Sequence, residues 1–305
     1  MRLNTRLGDA RAWRGASLEE NWRFELGEEM RVALGESIAR VGDRRVIEVD
    51  PDPGYRTALQ SIKRVLEEGP GFVVIEGIDP LYPADQAIQA YWTLGQCLGR
   101  PLEQNIEGDL LYDVLDTGRE VSTGARFSVT NAESTFHIDR AFSPRIPDYV
   151  GLLCLQSALS GGQSQLISAY ALHDALLEEN PGVLEELYGD YCFDRRGQYL
   201  EGEDPVHRAP IMAWDGRELT MRYLRYYIEV GHQRAEMVLS EIQLAALDAV
   251  EALLQRPEFR IEFELSPGQM LFTNNHWILH NRTAFEDDPE SRRHYVRLWL
   301  GRRED

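Results

Sequence analysis

The sequence predicts an α+β protein, with an α-rich N-terminal region ahead of a β core of sandwich or barrel type. Three observations predict it. Amphipathic, capped helical segments dominate the first hundred residues. From about residue 110 the chain becomes short apolar runs separated by Gly, Ser, Asn and Pro. No linker, repeat or low-complexity stretch divides the 305 residues. Short strands bounded by turn residues mark a sandwich or barrel, and a chain of this length can bury one large core.

Taken in order, residues 1–44 read as helical and polar. Leu18, Trp22, Phe24, Leu26, Met30 and Leu34 are their apolar anchors, and Ser17 is an N-cap ahead of Glu19 and Glu20. Residues 44–49 read as a short strand. Residues 57–68 form an amphipathic helix closed by Gly69-Pro70-Gly71. Residues 72–75 are a buried strand, and 84–98 a helix that starts after Pro83 and stops at Gly99. Segments 110–115, 126–130, 136–139, 149–156 and 163–168 are predicted strands. Residues 169–187 return to helix, with a break near Asn180-Pro181. Residues 219–229 carry the cluster Arg222-Tyr223-Leu224-Arg225-Tyr226-Tyr227. Ser240 caps a helix running to Gln255, and 259–265, 269–272, 277–280 and 294–300 are strands.

Composition bounds the partners. With 43% hydrophobic and 27% charged residues the chain reads as an ordinary soluble globular protein. Its formal net charge of −19 repels phosphate backbones and anionic lipid, which argues against nucleic acid and membrane surfaces as partners. No stretch reaches the apolar length of a membrane span. The three cysteines, Cys97, Cys154 and Cys192, are far apart and lack metal-type spacing. No disulfides and a reducing, cytoplasmic setting are expected. A small-molecule substrate is the expected partner, and a homo-oligomer is compatible with the sequence.

The stretch Ser134-Thr135-Phe136-His137-Ile138-Asp139-Arg140 carries the chemistry. Read as a strand, it projects His137 and Asp139 to the same side, because residues two apart in a strand point the same way. An imidazole beside a carboxylate can fill two positions on a divalent metal. With 7 His and 51 acidic residues, roughly one His-x-acid pair arises by chance, so the tripeptide needs its context. His280, in Ile278-Leu279-His280-Asn281-Arg282-Thr283, is the best third ligand, and His276 is a rival on the same run. Two histidines and one carboxylate with open positions suit non-haem Fe(II) and oxygen chemistry. The same set could hold a hydrolytic Zn(II). On the strand Arg292-Arg293-His294-Tyr295-Val296-Arg297-Leu298-Trp299-Leu300, Arg293, Tyr295 and Arg297 share one face. Two guanidiniums there suit a dicarboxylate co-substrate, or a co-substrate and an anionic substrate.

These motifs, in their order, resemble a known family. They are His137-Ile138-Asp139, Ser160-Gly161-Gly162-Gln163-Ser164, Asn274-Asn275-x-x-x-Leu279-His280-x-Arg282-Thr283-x-Phe285, and Arg292-Arg293-x-x-x-Arg297-Leu298. The sequence is similar to the taurine dioxygenase (clavaminate synthase-like) branch of the Fe(II)/2-oxoglutarate oxygenases, from about residue 72 to residue 300. The resemblance implies a double-stranded β-helix (jelly-roll) core over 71–305 with flanking helices; residues 1–70 match the family only loosely and are expected to form a helical extension packed on that core. It also implies that His137, Asp139 and His280 bind Fe(II), and that Arg293 takes the C5 carboxylate of 2-oxoglutarate with help from Ser164. Arg297 would contact an anionic group of the prime substrate or support the co-substrate.

The expected activity is a dioxygenase that uses O2 and 2-oxoglutarate. It would hydroxylate an unactivated C–H of a small molecule and release succinate and CO2. Asp139, which halogenases of this chemistry usually lack, points to hydroxylation or another hydrogen-abstraction outcome such as desaturation. A zinc hydrolase or a non-catalytic metal-binding barrel would use the same three ligands. For the substrate, Asn131 and Glu133 on the polar segment 122–134, Arg225 in the aromatic cluster, His276 and Arg297 are candidate contacts. Ordinary packing or exposure is the alternative for each. A pocket with Arg297, Arg225 and Glu133 would suit an amino acid or other small zwitterion.

Overall fold

The computed structural model describes residues 1–19, 21–41, 53–78, 82–119 and 127–303. The predicted strand 44–49 lies outside them. The first elements are β1 (Arg23–Glu25), α1 (Glu28–Val41), α2 (Pro53–Glu67), β2 (Phe72–Glu76) and α3 (Ala84–Leu98). Then come β3 (Arg100–Leu102), β4 (Leu111–Val114), β5 (Tyr149–Gln156), β6 (Ser160–Gly161) and β7 (Ser164–Ser168). Helices α4 (Ala169–Glu179) and α5 (Pro181–Glu186) lead into β8 (Asp190–Asp194), β9 (Val206–Pro210), β10 (Met212–Trp214) and β11 (Leu219–Met221). Helices α6 (Arg225–Arg234) and α7 (Glu241–Leu254) precede β12 (Arg260–Phe263), β13 (Met270–Asn274), β14 (Ile278–Arg282), β15 (Phe285–Glu286) and β16 (His294–Gly301).

The β core is a jelly roll. Its larger sheet has the strand order β1-β2-β13-β5-β16-β3, with β4 also paired to β16. Its smaller sheet is β12-β7-β14. Period-2 alternation sorts the larger sheet's side chains into two clusters. Val73, Ile75, Met270, Phe272, Val296, Leu298 and Leu300 pack with Leu26, Met30, Leu34, Ile62, Leu66 and Tyr91 of the N-terminal region. Phe72, Val74, Leu271 and Tyr295 belong to the other cluster, with Tyr170, Leu247, Phe259, Trp277 and Leu279. The face of β16 that carries Tyr295 therefore looks between the sheets, while Leu298 looks at the helices.

Several expectations are corrected. Residues 1–19 and 21–27 hold no α-helix. They hold a 3-10 turn over Gly15–Ser17 and the strand β1, so Ser17 ends a turn instead of capping a helix. The reason is burial at period 2. β1 lies parallel to β2 with Phe24 opposite Ile75, while Trp13 and Trp22 pack on Phe72 at ring distances of 5.6 and 5.3 Å. Segment 126–130 is a 3-10 turn over Phe127–Val129, with residue 126 outside the described set. Segment 136–139 is not a regular strand. His137 alone bridges His280, each N–H donating to the other's carbonyl at 3.0 Å. Beyond it the Ile138 N–H turns to Tyr223 O and the Asp139 N–H to a side chain, so the ladder ends. The aromatic-basic cluster divides between the loop that follows β11 and the start of α6. Strands β8, β9 and β10 have no counterpart among the predicted elements. The break at Asn180-Pro181 separates α4 from α5, and Ser240 makes a capping box with Gln243.

Candidate metal and co-substrate centre

His137 and His280 meet across their bridge, with ring centroids 4.3 Å apart. Asp139 Oδ1 lies 3.5 Å from His137 Nε2 and 3.7 Å from His280 Nε2. Among the described residues these three form a cluster whose ligand atoms all lie within 4.8 Å of one another. The donor chemistry fits a divalent cation. The Nδ1–H of His137 donates to Thr135 O at 2.7 Å, which leaves Nε2 as the lone pair facing inward. The other carboxylate oxygen of Asp139 accepts from Trp299 Nε1 at 2.7 Å, which orients Oδ1 toward the histidines. Burial raises the Asp139 carboxyl's pKa. The Arg297 charge, with both histidine rings beside the carboxylate, outweighs that and holds it well below the ordinary carboxylate range. Burial, then the neighbouring His137, lowers the pKa of His280, favouring the neutral ring that a metal needs.

Beside this cluster lies Arg293, only 3% exposed. Its guanidinium stacks 3.8 Å from the Tyr295 ring centroid and 5.1 Å from that of Phe285. Its Nε and Nη1 have no hydrogen-bond partner among the described residues. A buried guanidinium with unmet donors costs free energy unless an anion completes it. Burial accordingly lowers its pKa. Ser164 lines the same cavity. The Gly161-Gly162 turn ahead of it is left-handed, with φ of 73° and 76°. A Cβ on Gly162 would sit 3.2 Å from Arg293 Nε, so glycine keeps the approach to that guanidinium open.

Arg297 lines the cavity but is already engaged. Its Nε donates to Gln104 Oε1 at 2.8 Å, and its Nη1 lies 3.3 Å from Asp139 Oδ2. Gln104 returns a bond to Arg297 O at 2.8 Å, so the arm is held at both ends. Arg282 donates to Thr130 O and Ala132 O, tying the segment before His137 to β14. Burial, with Arg293 nearby, pushes its pKa down to about 10.

Four expected substrate contacts leave the cavity. Asn131 and Glu133 are exposed and do not line it, and the described residues of that segment that do are Ser128 and Ser134. Arg225 pairs with Glu229 at 2.8 Å and Asp248 at 2.7 Å, between α6 and α7. His276 precedes β14 in a turn and points away from the cluster. Its Nε2–H donates to Asp148 at 2.7 Å, and its Nδ1 accepts from Thr220 Oγ1 at 3.1 Å. It is therefore no rival to His280 as a ligand. In their place the cavity is lined by Gln104, Arg140, Phe142, Arg196, Gln198, Tyr227 and Trp299. Trp299 was findable, being two residues beyond Arg297 on the same strand face. Gln104, Arg196 and Gln198 carry no local signal.

Fold and cluster together define a jelly-roll protein with a two-histidine, one-carboxylate cluster beside a buried arginine. Residues 48–299 match the family described as Taurine catabolism dioxygenase TauD, TfdA family, and the chain belongs to that family. It is a dioxygenase dependent on Fe(II) and 2-oxoglutarate. The chain is similar to FR-33289 synthase of Streptomyces rubellomurinus, with 29% identity covering 94% of this chain and 88% of that one. Two solved structures share its fold. Non-haem iron oxygenase OrfP, in complex with Fe, succinate and (3S)-hydroxy-L-Arg, superposes with a TM-score of 0.67 at 17% identity over 91% of this chain and 93% of that one. Asparagine oxygenase in complex with Fe(II), 2S,3S-3-hydroxyasparagine and succinate gives 0.69 at 18% identity over 92% of this chain and 94% of that one.

Proposed function

We propose that this protein is a hydroxylase of a small zwitterionic or anionic molecule, with His137, Asp139 and His280 as its iron ligands. Arg293 takes the distal carboxylate of 2-oxoglutarate, assisted by the Ser164 hydroxyl. The observation that carries this reading is the buried, incompletely bonded Arg293 guanidinium beside a three-ligand cluster. A hydrolytic zinc centre has no use for such a group. Iron with 2-oxoglutarate and O2 supplies oxidative decarboxylation to succinate and CO2 and an oxidant for a C–H bond. The chain's own part is to bind, orient and exclude water. Arg297 and Trp299 hold the Asp139 carboxylate, and Tyr295 and Phe285 form dry walls for Arg293.

Charge and size support the substrate class. Arg140, Arg196, Arg282, Arg293 and Arg297 line the cavity, against Asp139 as the sole carboxylate among the described lining residues. In a chain of net charge −19 this concentrates positive charge at one place, which favours a substrate with a carboxylate or comparable anionic group. The cavity volume of about 170 Å³ is below the roughly 300–1,000 Å³ of drug-sized pockets, which supports a small substrate. Hydroxylated amino acids in two structures of the same fold support an amino acid. Oxygen uptake with Fe(II), 2-oxoglutarate and a panel of L-amino acids and sulfonates tests the proposal. Uptake that requires both Fe(II) and 2-oxoglutarate, with succinate formed, is expected. Hydrolytic turnover supported by zinc without 2-oxoglutarate would overturn it.

A further inference from the structure

The Asp139 ligand sits where the strand ladder has ended, and Arg140 just after it is left-handed at φ 57°. A ligand outside regular structure needs another restraint to keep its carboxylate on target. Asn275 supplies one. It is fully buried, and its carboxamide pairs with both backbone groups of Asp139. The Asp139 N–H donates to Asn275 Oδ1 at 3.0 Å, and Asn275 Nδ2 donates to Asp139 O at 3.0 Å. The second Nδ2 hydrogen goes to Pro147 O at 3.1 Å, and the Asn275 backbone N–H to Asp148 O at 2.9 Å. The side chain thus replaces the neighbouring strand that residue 139 lacks. It does so from the β13–β14 turn, five residues before His280.

Resting on the ligand assignment above, we infer that Asn275 is a positioning residue that sets the place of Asp139 relative to His280. It touches neither metal nor substrate. Because one turn carries the clamp and leads directly into the strand of His280, the spacing between the two ligand segments is fixed within a single stretch of chain. Groups that support metal ligands are typically worth roughly 10- to 100-fold in metal affinity.

The test uses Co(II), followed by its visible absorption, and Fe(II) with 2-oxoglutarate, followed anaerobically by the charge-transfer band. Asn275→Asp keeps the shape and the acceptor but loses both donors. It should bind Co(II) roughly 10- to 100-fold more weakly and shift the band, and a melt of the metal-free protein checks that it is folded. Asn274→Ala alters the same turn without touching Asp139, since Asn274 bonds Leu66 O and the His276 N–H, and should leave Co(II) affinity unchanged. Equal Co(II) affinity in Asn275→Asp and wild type overturns the inference, and so does an equal loss in Asn274→Ala. If Asn275→Asp does not fold, Asn275→Ser decides by the same two criteria. A wild-type chain that takes up no Co(II) contradicts the ligand assignment itself. Uptake by wild type with no loss in the Asn275 variants contradicts the positioning role alone.

Discussion

The two walls of the cavity are built differently. The inner wall, with His280, Ser164, Arg297 and Trp299, stands on paired strands, and each of these side chains has a ladder behind it. The outer wall, with Arg140, Phe142, Arg196, Gln198 and Tyr227, comes from turns and a helix start, and two of its arginines are non-glycine residues at φ 57° and 52°. Strand ladders hold side chains to a fixed phase and suit groups that must meet a metal and a co-substrate in one geometry. Turns leave the backbone free to vary and suit substrate choice. The division puts His280, Ser164 and Arg297 on ladders and suits the outer wall to specificity, while Asp139, off the ladder, is held by the Asn275 side chain instead.

The largest effect separates the walls outright. Asp139→Ala removes one of the three proposed ligands and should abolish 2-oxoglutarate-dependent oxygen uptake and weaken metal binding, as should His280→Ala. His276→Ala, only four residues from His280, should leave metal binding intact, because that ring serves Asp148 and Thr220. Loss of metal in His276→Ala with retention in His280→Ala would reverse the ligand choice.

An intermediate effect is expected on the outer wall. Arg140→Ala and Arg196→Ala should each raise the KM of an anionic substrate by about tenfold or more, the worth of one charge-assisted hydrogen bond. Their affinity for 2-oxoglutarate should stay at the wild-type value. If either variant instead weakens 2-oxoglutarate, the walls do not divide as described. The smallest effect lies outside the cavity. Arg225→Ala breaks solvent-facing pairs with Glu229 and Asp248 and should cost no more than about 1 kcal/mol in a denaturant melt, with kinetic constants unmoved.

The same division explains what the sequence disclosed. Strands β5, β7, β13, β14 and β16 were legible because they are short buried apolar runs bounded by turn residues, and with them came His280, Arg297 and, just ahead of β16, Arg293. His137 and Asp139 were legible as a pair for a reason only half right. They converge, yet residue 139 is held by the Asn275 side chain and not by a strand. Residues 1–27 were misread as helix because the spacing of Trp22, Phe24 and Leu26 is period 2, and scattered acids around them imitate a helix start. The outer wall was illegible because its residues come together through the β8–β9 turn and α6, which no local pattern joins to residue 140. Arg225 and Tyr227 sit two apart at the start of α6, and only Tyr227 faces the cavity. The alternatives of Arg297, substrate or co-substrate, missed a third role: it braces the Asp139 carboxylate together with Gln104 and Trp299.

The most direct measurement is titration of 2-oxoglutarate into the anaerobic Fe(II) protein, following the charge-transfer band, for wild type, Arg293→Lys, Arg293→Ala and Arg297→Ala. Leaving a buried charge without its partner costs on the order of 2–5 kcal/mol, so Arg293→Ala should weaken 2-oxoglutarate by ~30-fold or more. Arg293→Lys, which keeps the charge and loses the planar fork, should fall between it and wild type. Arg297→Ala should shift the band through Asp139 more than it changes the affinity. Wild-type affinity for 2-oxoglutarate in Arg293→Ala would contradict the assignment of the buried guanidinium as the co-substrate's anchor.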